Sequence, residues 1–289
     1  MENHSVLYIT ACPVGCHAAL IDTRLTVSEG ALRRCAGCGQ LLSRTDEARY
    51  RKTLALFDAG EFNLIEGRAL GRRDAVAQRR IARIARLLGK PHRDIRLCDV
   101  GCSRGQFVAA ALAAGCNAEG VEPAPQIAQI AHDAGLPVRT GLLEDQKFPD
   151  STFDALTLFE VVEHLRAPLP LLAECRRVLK PGGILLISTG NAASWTTAAM
   201  GAHWDYFDMA LDGGHISFFN PRSMALLAGN SGFQVERIDT TRVKFADKGN
   251  TTRWRYVLGK LVAETLNLPA RLTGRGHDML AYLRKPSPG

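Results

Sequence analysis

Residues 95–107 constrain this chain more than any other stretch. Residues 95–100 form a short, mostly apolar run of strand length. Gly101 and Gly105 then bend the backbone, residues 106–114 follow a helical pattern, and Gly115 closes it. A strand, a glycine turn and a helix in that order bind nucleotide-like ligands in open α/β sheets. Glycine lets the backbone approach a ligand closely, and the helix start offers unpaired amides. A second strand, residues 117–122, ends in Glu122. That acid lies 23 residues beyond Asp99, near the spacing at which a carboxylate takes ribose hydroxyls.

The turn lacks the dinucleotide pattern Gly-x-Gly-x-x-Gly, because position 103 is serine. It resembles instead the first motif of the class I S-adenosylmethionine (SAM)-dependent methyltransferases, Asp-x-Gly-x-Gly-x-Gly, with Ser103 at the middle glycine. The resemblance implies that Asp99, Gly101, Cys102 and Gly105 shape the cofactor turn, while Glu122 and Pro123 flank the ribose. Residues 141–145 match the loop that cups adenine. Leu142 stands where the family often has Asp, so Leu143, Glu144 and backbone groups are expected near the base, with Asp145 as the other candidate acid.

Residues 155–159 read as a buried strand running into Glu160-Val-Val-Glu163-His164. This ending resembles closely the ubiquinone-biosynthesis type of O-methyltransferase, and places Phe159 and Glu160 at the cofactor. His164 is a candidate base or acceptor-orienting group, and equally a brace for its loop. Lys180-Pro-Gly-Gly matches a further family signature, with an architectural role. The resemblance covers roughly residues 75–285. It implies an α/β fold: a Rossmann-like seven-stranded sheet with helices on both faces and an antiparallel last strand.

The N-terminal residues carry different chemistry. Cys12 and Cys16, then Cys35 and Cys38, are paired knuckles 18 residues apart. Four thiolates from two short turns can surround one structural Zn²⁺, with His17 as a substitute ligand. So short a segment cannot bury a core of its own, so metal is expected to supply its folding energy. The expected organisation is a zinc-ribbon-like segment over 1–46, a helical linker over 47–90, and a methyltransferase domain over 91–289. The other four cysteines fall in the α/β pattern as buried thiols.

The 289 residues are 46% hydrophobic and 22% charged, ordinary for a globular protein. No apolar run approaches the ~18 residues of a spanning helix, and no secretion pattern opens the chain. A cytoplasmic protein without a membrane span is expected. The net charge of +7 suits an anionic partner but serves solubility as well. In the helical stretch before Gly89, Ala77, Ile81, Ile84, Ala85 and Leu88 make an apolar stripe. Arg79, Arg80, Arg83 and Arg86 are expected on a solvated face.

Two long connections complete the pattern. Residues 190–220 are rich in aromatics and histidine and read as a lid over an acceptor pocket. Within it His215 is the first candidate base and His203 the second, against the plain alternative that both only pack the lid. Residues 241–276 form a second insertion with a helix expected over 252–266, in which Arg253, Trp254, Arg255 and Lys260 are basic and aromatic. No Asp/Glu/His cluster for a catalytic metal is visible in the α/β region.

The first functional reading is methyl transfer from SAM to a small-molecule or glycan-intermediate acceptor, at oxygen. An RNA base methyltransferase that docks its substrate through the zinc ribbon is the second. A non-catalytic binding module is the third.

Overall fold

The computed structural model describes residues 7–58, 68–207, 214–245 and 252–287. Parts of the expected helical linker, lid and second insertion (residues 59–67, 208–213 and 246–251) lie outside the described residues. In chain order the strands and helices begin with β1 (Leu20–Val27), β2 (Gly30–Cys35), β3 (Leu41–Leu42), α1 (Glu47–Asp58) and α2 (Arg68–Leu88). Then come β4 (Arg96–Val100), α3 (Gln106–Ala113), β5 (Asn117–Glu122), α4 (Pro125–Asp133), β6 (Val138–Thr140) and β7 (Phe153–Phe159). The remainder is α5 (Pro168–Val178), β8 (Leu179–Gly190), α6 (Trp195–Met200), β9 (Ser217–Phe218), α7 (Pro221–Asn230), β10 (Gln234–Thr240), α8 (Arg253–Leu272) and β11 (Asp278–Arg284).

The main sheet has seven strands in the order β10-β11-β8-β7-β4-β5-β6. β4, β5, β6, β7 and β8 pair in parallel, and β11 runs antiparallel to both β8 and β10. Alternation along the strands sends side chains into two cores. On one face Leu97, Ala155, Ile184 and Leu186 pack with α2, α3 and α4. On the other, Cys98, Leu156, Leu158, Leu185 and Ile187 pack with α5, α7 and the cysteine knuckles. Helices therefore cover both faces, as parallel strands require.

Local chemistry explains the element ends. Pro125, Pro168 and Pro221 each open a helix, where a missing N–H costs nothing. Asn220 and Ser223 close a reciprocal capping box on α7. α8 runs six residues beyond the expected 266 and contains Pro269. Ala270, fully buried beside Val243 and Ala263, holds that last turn against its proline.

The N-terminal segment does not stand apart. β1, β2 and β3 form a second sheet whose fourth strand is β9, with Leu41 opposite Phe218 and Leu42 opposite Ser217. Asn220 Nδ2 donates to the Cys38 carbonyl at 3.2 Å, and Asn230 Nδ2 to the Val14 carbonyl at 2.7 Å. The knuckles are thereby fastened to the segment that carries His215.

Candidate active site

The turn after β4 and the tip of β5 are joined by one carboxylate. Glu122, 2% exposed, accepts from the Ser103 amide at 2.8 Å and from the Ala124 amide at 3.0 Å. Ser103 takes φ +49°, a left-handed conformation that glycine adopts more easily. Strain of this kind, about 1–3 kcal/mol, concentrates where a binding turn needs one shape. At Gly101, φ +72°, an added Cβ would lie 2.7 Å from Val161 Cγ2, so the turn closes directly onto the loop after β7.

Not every residue expected at the cofactor presents its side chain there. Cys102 is buried with its sulfur against Gly120, where an added Cβ would come within 2.6 Å, so only its backbone faces the turn. Leu143 is packed in the core, and the loop after β6 exposes Leu142, Glu144 and Asp145 instead. Asp145 is turned toward its own loop, accepting from the Leu142 amide at 3.3 Å. Pro123 is exposed beside Glu122.

Asp99 is buried and accepts from the Thr157 hydroxyl at 2.5 Å. Burial pushes its pKa up to about 7, with the Thr157 bond and nearby Arg80 pulling the other way. Arg80 corrects the expectation of a fully solvated arginine face. Its guanidinium lies 4.7 Å from the Phe159 ring centroid, and its Nε is buried without a hydrogen-bond partner. Arg83 likewise turns inward, over Tyr282. Phe159 meets Phe107 edge-on at 4.6 Å. A cation with an orphaned donor, beside the glycine turn, fits the carboxylate of an amino-acid tail.

The loop after β7 builds the other half of the site. Glu160 has φ +55°, again left-handed without being glycine. Its carboxylate accepts from the Ser188 hydroxyl at 3.2 Å and from the Tyr206 hydroxyl. Tyr206 stacks on His215, 4.9 Å between centroids, and the His164 and His215 rings lie 4.7 Å apart. The Ile216 amide donates to the Glu163 carbonyl at 3.0 Å, which draws the lid onto this loop.

His215 is buried, and its Nδ1 is 3.1 Å from the Tyr206 carbonyl. A carbonyl only accepts, so Nδ1 carries the proton and Nε2 keeps a lone pair. That Nε2 lies 4.0 Å from Glu163 Oε1. Burial, then the His164 ring, depresses the His215 pKa to about 3, so the imidazole is neutral. Burial and the Glu160 charge hold Glu163 well above the ordinary carboxylate range.

Glu160, Glu163 and His215 present one ligand atom each within 4.8 Å of one another. This corrects the expectation that the α/β region holds no Asp/Glu/His cluster. The Glu160-x-x-Glu163 spacing is visible in the sequence, but its closure by a histidine 52 residues later is not. Glu163 and His215 are buried while Glu160 is exposed, so the cluster has one open side. Tyr206 is a further residue that pattern reading missed, although it sits in the aromatic lid. His203, the second candidate base, is exposed on a short 3-10 turn.

Cys12, Cys35 and Cys38 bring their sulfurs within 4.8 Å of one another, and Cys12 Sγ lies 3.5 Å from Cys38 Sγ. Zn–S bonds of ~2.3 Å in a tetrahedron place sulfurs about 3.8 Å apart, so the spacing fits a metal. Cys16, the second cysteine of the first knuckle, is not among these three, although its sulfur would lie 2.6 Å from a Cβ at Gly37 beside them. Burial raises the Cys35 thiol, but the Cys38 and Gly37 amides outweigh it and bring the pKa to about 7. All eight cysteines are unpaired.

Sheet order, reversed β11, glycine turn and acid-tipped β5 define the class I SAM-dependent methyltransferase fold. A model of the methyltransferase-domain family matches residues 71–238, and the chain belongs to that family. It is 35% identical over 122 residues to a ubiquinone biosynthesis O-methyltransferase of Cereibacter sphaeroides, covering 39% of this chain and 49% of the relative. It is 30% identical over 155 residues to one of Xanthomonas axonopodis, covering 50% of this chain and 64% of the relative. The chain thus spans about half to under two thirds of these curated relatives. Among solved structures, a putative sarcosine dimethylglycine methyltransferase of Galdieria sulphuraria aligns at TM-score 0.52 and 16% identity, over 83% of this chain and 99% of its own. A SAM-dependent methyltransferase of Archaeoglobus fulgidus aligns at TM-score 0.51 and 18% identity, over 72% and 94%. These likenesses establish the fold.

Proposed function

We propose that this protein methylates a hydroxyl of a small-molecule or glycan-intermediate acceptor, with SAM as donor, in the cytoplasm. One observation carries the reading. A glycine turn gripped by Glu122 stands directly against a loop whose carboxylate–histidine cluster is open on one side. In this reading Glu122 takes the ribose diol, Arg80 the amino-acid carboxylate, and the loop after β6 the adenine. When bound, SAM supplies an electrophilic methyl sulfonium. The protein's share is alignment and proton removal.

His215 could take a proton only at Nε2, since the Tyr206 carbonyl fixes the other nitrogen, and its depressed pKa means that the imidazolium would need the Glu160 and Glu163 carboxylates to stabilise it. Tyr206 and Ser188 hold Glu160 at the open side, where an acceptor hydroxyl would arrive. The same three groups suit a divalent cation, which would contribute Lewis acidity toward a bound hydroxyl. The knuckles would hold a structural Zn²⁺ through Cys12, Cys16, Cys35 and Cys38. Free thiols throughout accord with a reducing compartment.

Arg80 and Arg83 turn toward Phe159 and Tyr282, which leaves Arg79 and Arg86 as the arginines of that helix face for an anionic partner such as RNA. Methyl transfer from tritiated SAM to a panel of phenols and hydroxylated small molecules tests the proposal, with total RNA in parallel. Labelled small molecules, and a Glu163→Gln variant with lower turnover but normal SAM affinity, are expected. Labelling of RNA alone, lost at raised salt, would replace the reading.

A further inference from the structure

The insertion between β10 and β11 leaves one large apolar face exposed. α8 packs on the molecule through a narrow seam: Ala263 and Ala270 are buried, and Tyr256, Leu266 and Asn267 are half-buried. The larger aliphatic side chains point the other way. Leu258, Leu261, Leu268 and Leu272 are 54%, 61%, 65% and 79% exposed, at helical spacing along one face. At 100° per residue this stripe lies roughly opposite the alanine seam. An ordinary surface helix is oriented the other way round, apolar stripe inward.

Charge frames the stripe. Arg253, Lys260 and Arg271, spaced seven and eleven residues apart, share one exposed flank with Glu264, the one acid in the helix, so the flank carries three cations to one anion. A shallow groove of about 560 Å³ between Arg253 and Leu261 runs along the apolar face. No helix among the described residues is long and apolar enough to cross a bilayer. Low net hydrophobicity, an aliphatic face and a cationic flank together describe a helix that lies in a membrane interface.

We propose that α8 docks this protein onto an anionic lipid bilayer, apolar face down. The cationic flank selects this occupant over a second copy of the chain. Antiparallel pairing of two α8 helices would bring two such flanks together, each with three cations to one acid, so repulsion would exceed attraction between them. A bilayer rich in anionic headgroups complements that flank and takes up the leucines. Docking also acts near the cleft. Val243, Ala263 and Ala270 share a cluster with Trp195, and the Trp195 amide donates to the Arg275 carbonyl at 2.9 Å. Trp195 opens α6, whose segment continues to Tyr206 and Glu160.

The test is co-sedimentation of the full chain with vesicles of phosphatidylcholine alone or mixed with phosphatidylglycerol. Binding is expected on the anionic vesicles and at least about tenfold weaker on the neutral ones. Leu258→Glu with Leu261→Glu should weaken it at least about tenfold. Lys260→Glu with Arg271→Glu should do the same, each lysine or arginine counting for roughly fivefold. These positions are exposed, so both variants should keep the wild-type melting temperature and SAM affinity. No vesicle binding, or unchanged binding by either folded double variant, overturns the proposal. So does a concentration-dependent dimer, seen by sedimentation velocity, that the leucine variant abolishes while vesicles bind nothing. Because vesicle binding is read without turnover, its failure leaves the methyl-transfer reading standing.

Discussion

Replacing Glu122 by alanine separates a binding role from a structural one. The carboxylate holds the Ser103 and Ala124 amides at 2.8 and 3.0 Å and is almost wholly buried. Removing it orphans one buried and one part-buried donor, at about 1–3 kcal/mol each where water does not reach them. It also removes the acceptor proposed for the ribose diol. A hydrogen bond to a charged group is worth about 1.5–3 kcal/mol, or roughly ten- to hundredfold in affinity. Glu122→Ala should therefore lower stability in urea and weaken SAM in titration calorimetry by roughly that factor.

Glu122→Gln refines the experiment. Its amide keeps one acceptor oxygen, so part of the lost stability should return. Its nitrogen repels an amide donor and its charge is gone, so SAM should still bind about tenfold less tightly. A destabilised Glu122→Ala protein that binds SAM with full affinity would refute the ribose assignment. Glu122 would then be only the brace of the glycine turn.

Other perturbations probe the remaining parts. His215→Ala should lower turnover by about a hundredfold or more while leaving SAM affinity intact, read from steady-state rates and calorimetry; an unchanged rate places the base elsewhere. Cys35→Ser should lose one zinc per chain by metal analysis and lower the melting temperature, and retention of the zinc would contradict the four-thiolate site. The same substitution should lower turnover, because β3 pairs with β9 beside His215. Asp99 gives a pH signature. Its native pKa of about 7 lies above the ordinary 3.8, so its favourable contribution is complete below about pH 4 and is lost as pH rises through 7. Asp99→Asn, which can still accept from Thr157, should gain stability relative to wild type at pH 8 and not at pH 4; equal shifts in urea melts at both would contradict the assignment.

The cofactor side of the molecule was legible because its signals are short-range. Strand, turn, helix and acid tip all lie between Arg96 and Glu122, and each depends on neighbours in sequence. The acceptor side was legible only in fragments. Glu160, His164 and His215 stand out individually, but Glu163 gains meaning only when the Ile216 amide pulls the lid onto its carbonyl. Arg80 shares helical spacing with solvated arginines, and only Phe159 turns it inward. The two-residue pairing of β3 with β9 carries no periodicity at all, yet it ties the knuckles to the segment that carries His215. The helix expected over 252–266 runs on to Leu272 through Pro269, and the burial of Ala270, not a sequence pattern, accounts for that last turn.

A structure of the full chain soaked with S-adenosylhomocysteine weighs the whole scheme at once. The adenosine should lie across the 101–105 turn with both ribose hydroxyls on Glu122, its carboxylate on Arg80, and its sulfur directed at the open side of Glu160. A nucleoside bound anywhere else, or no binding at all, would contradict it.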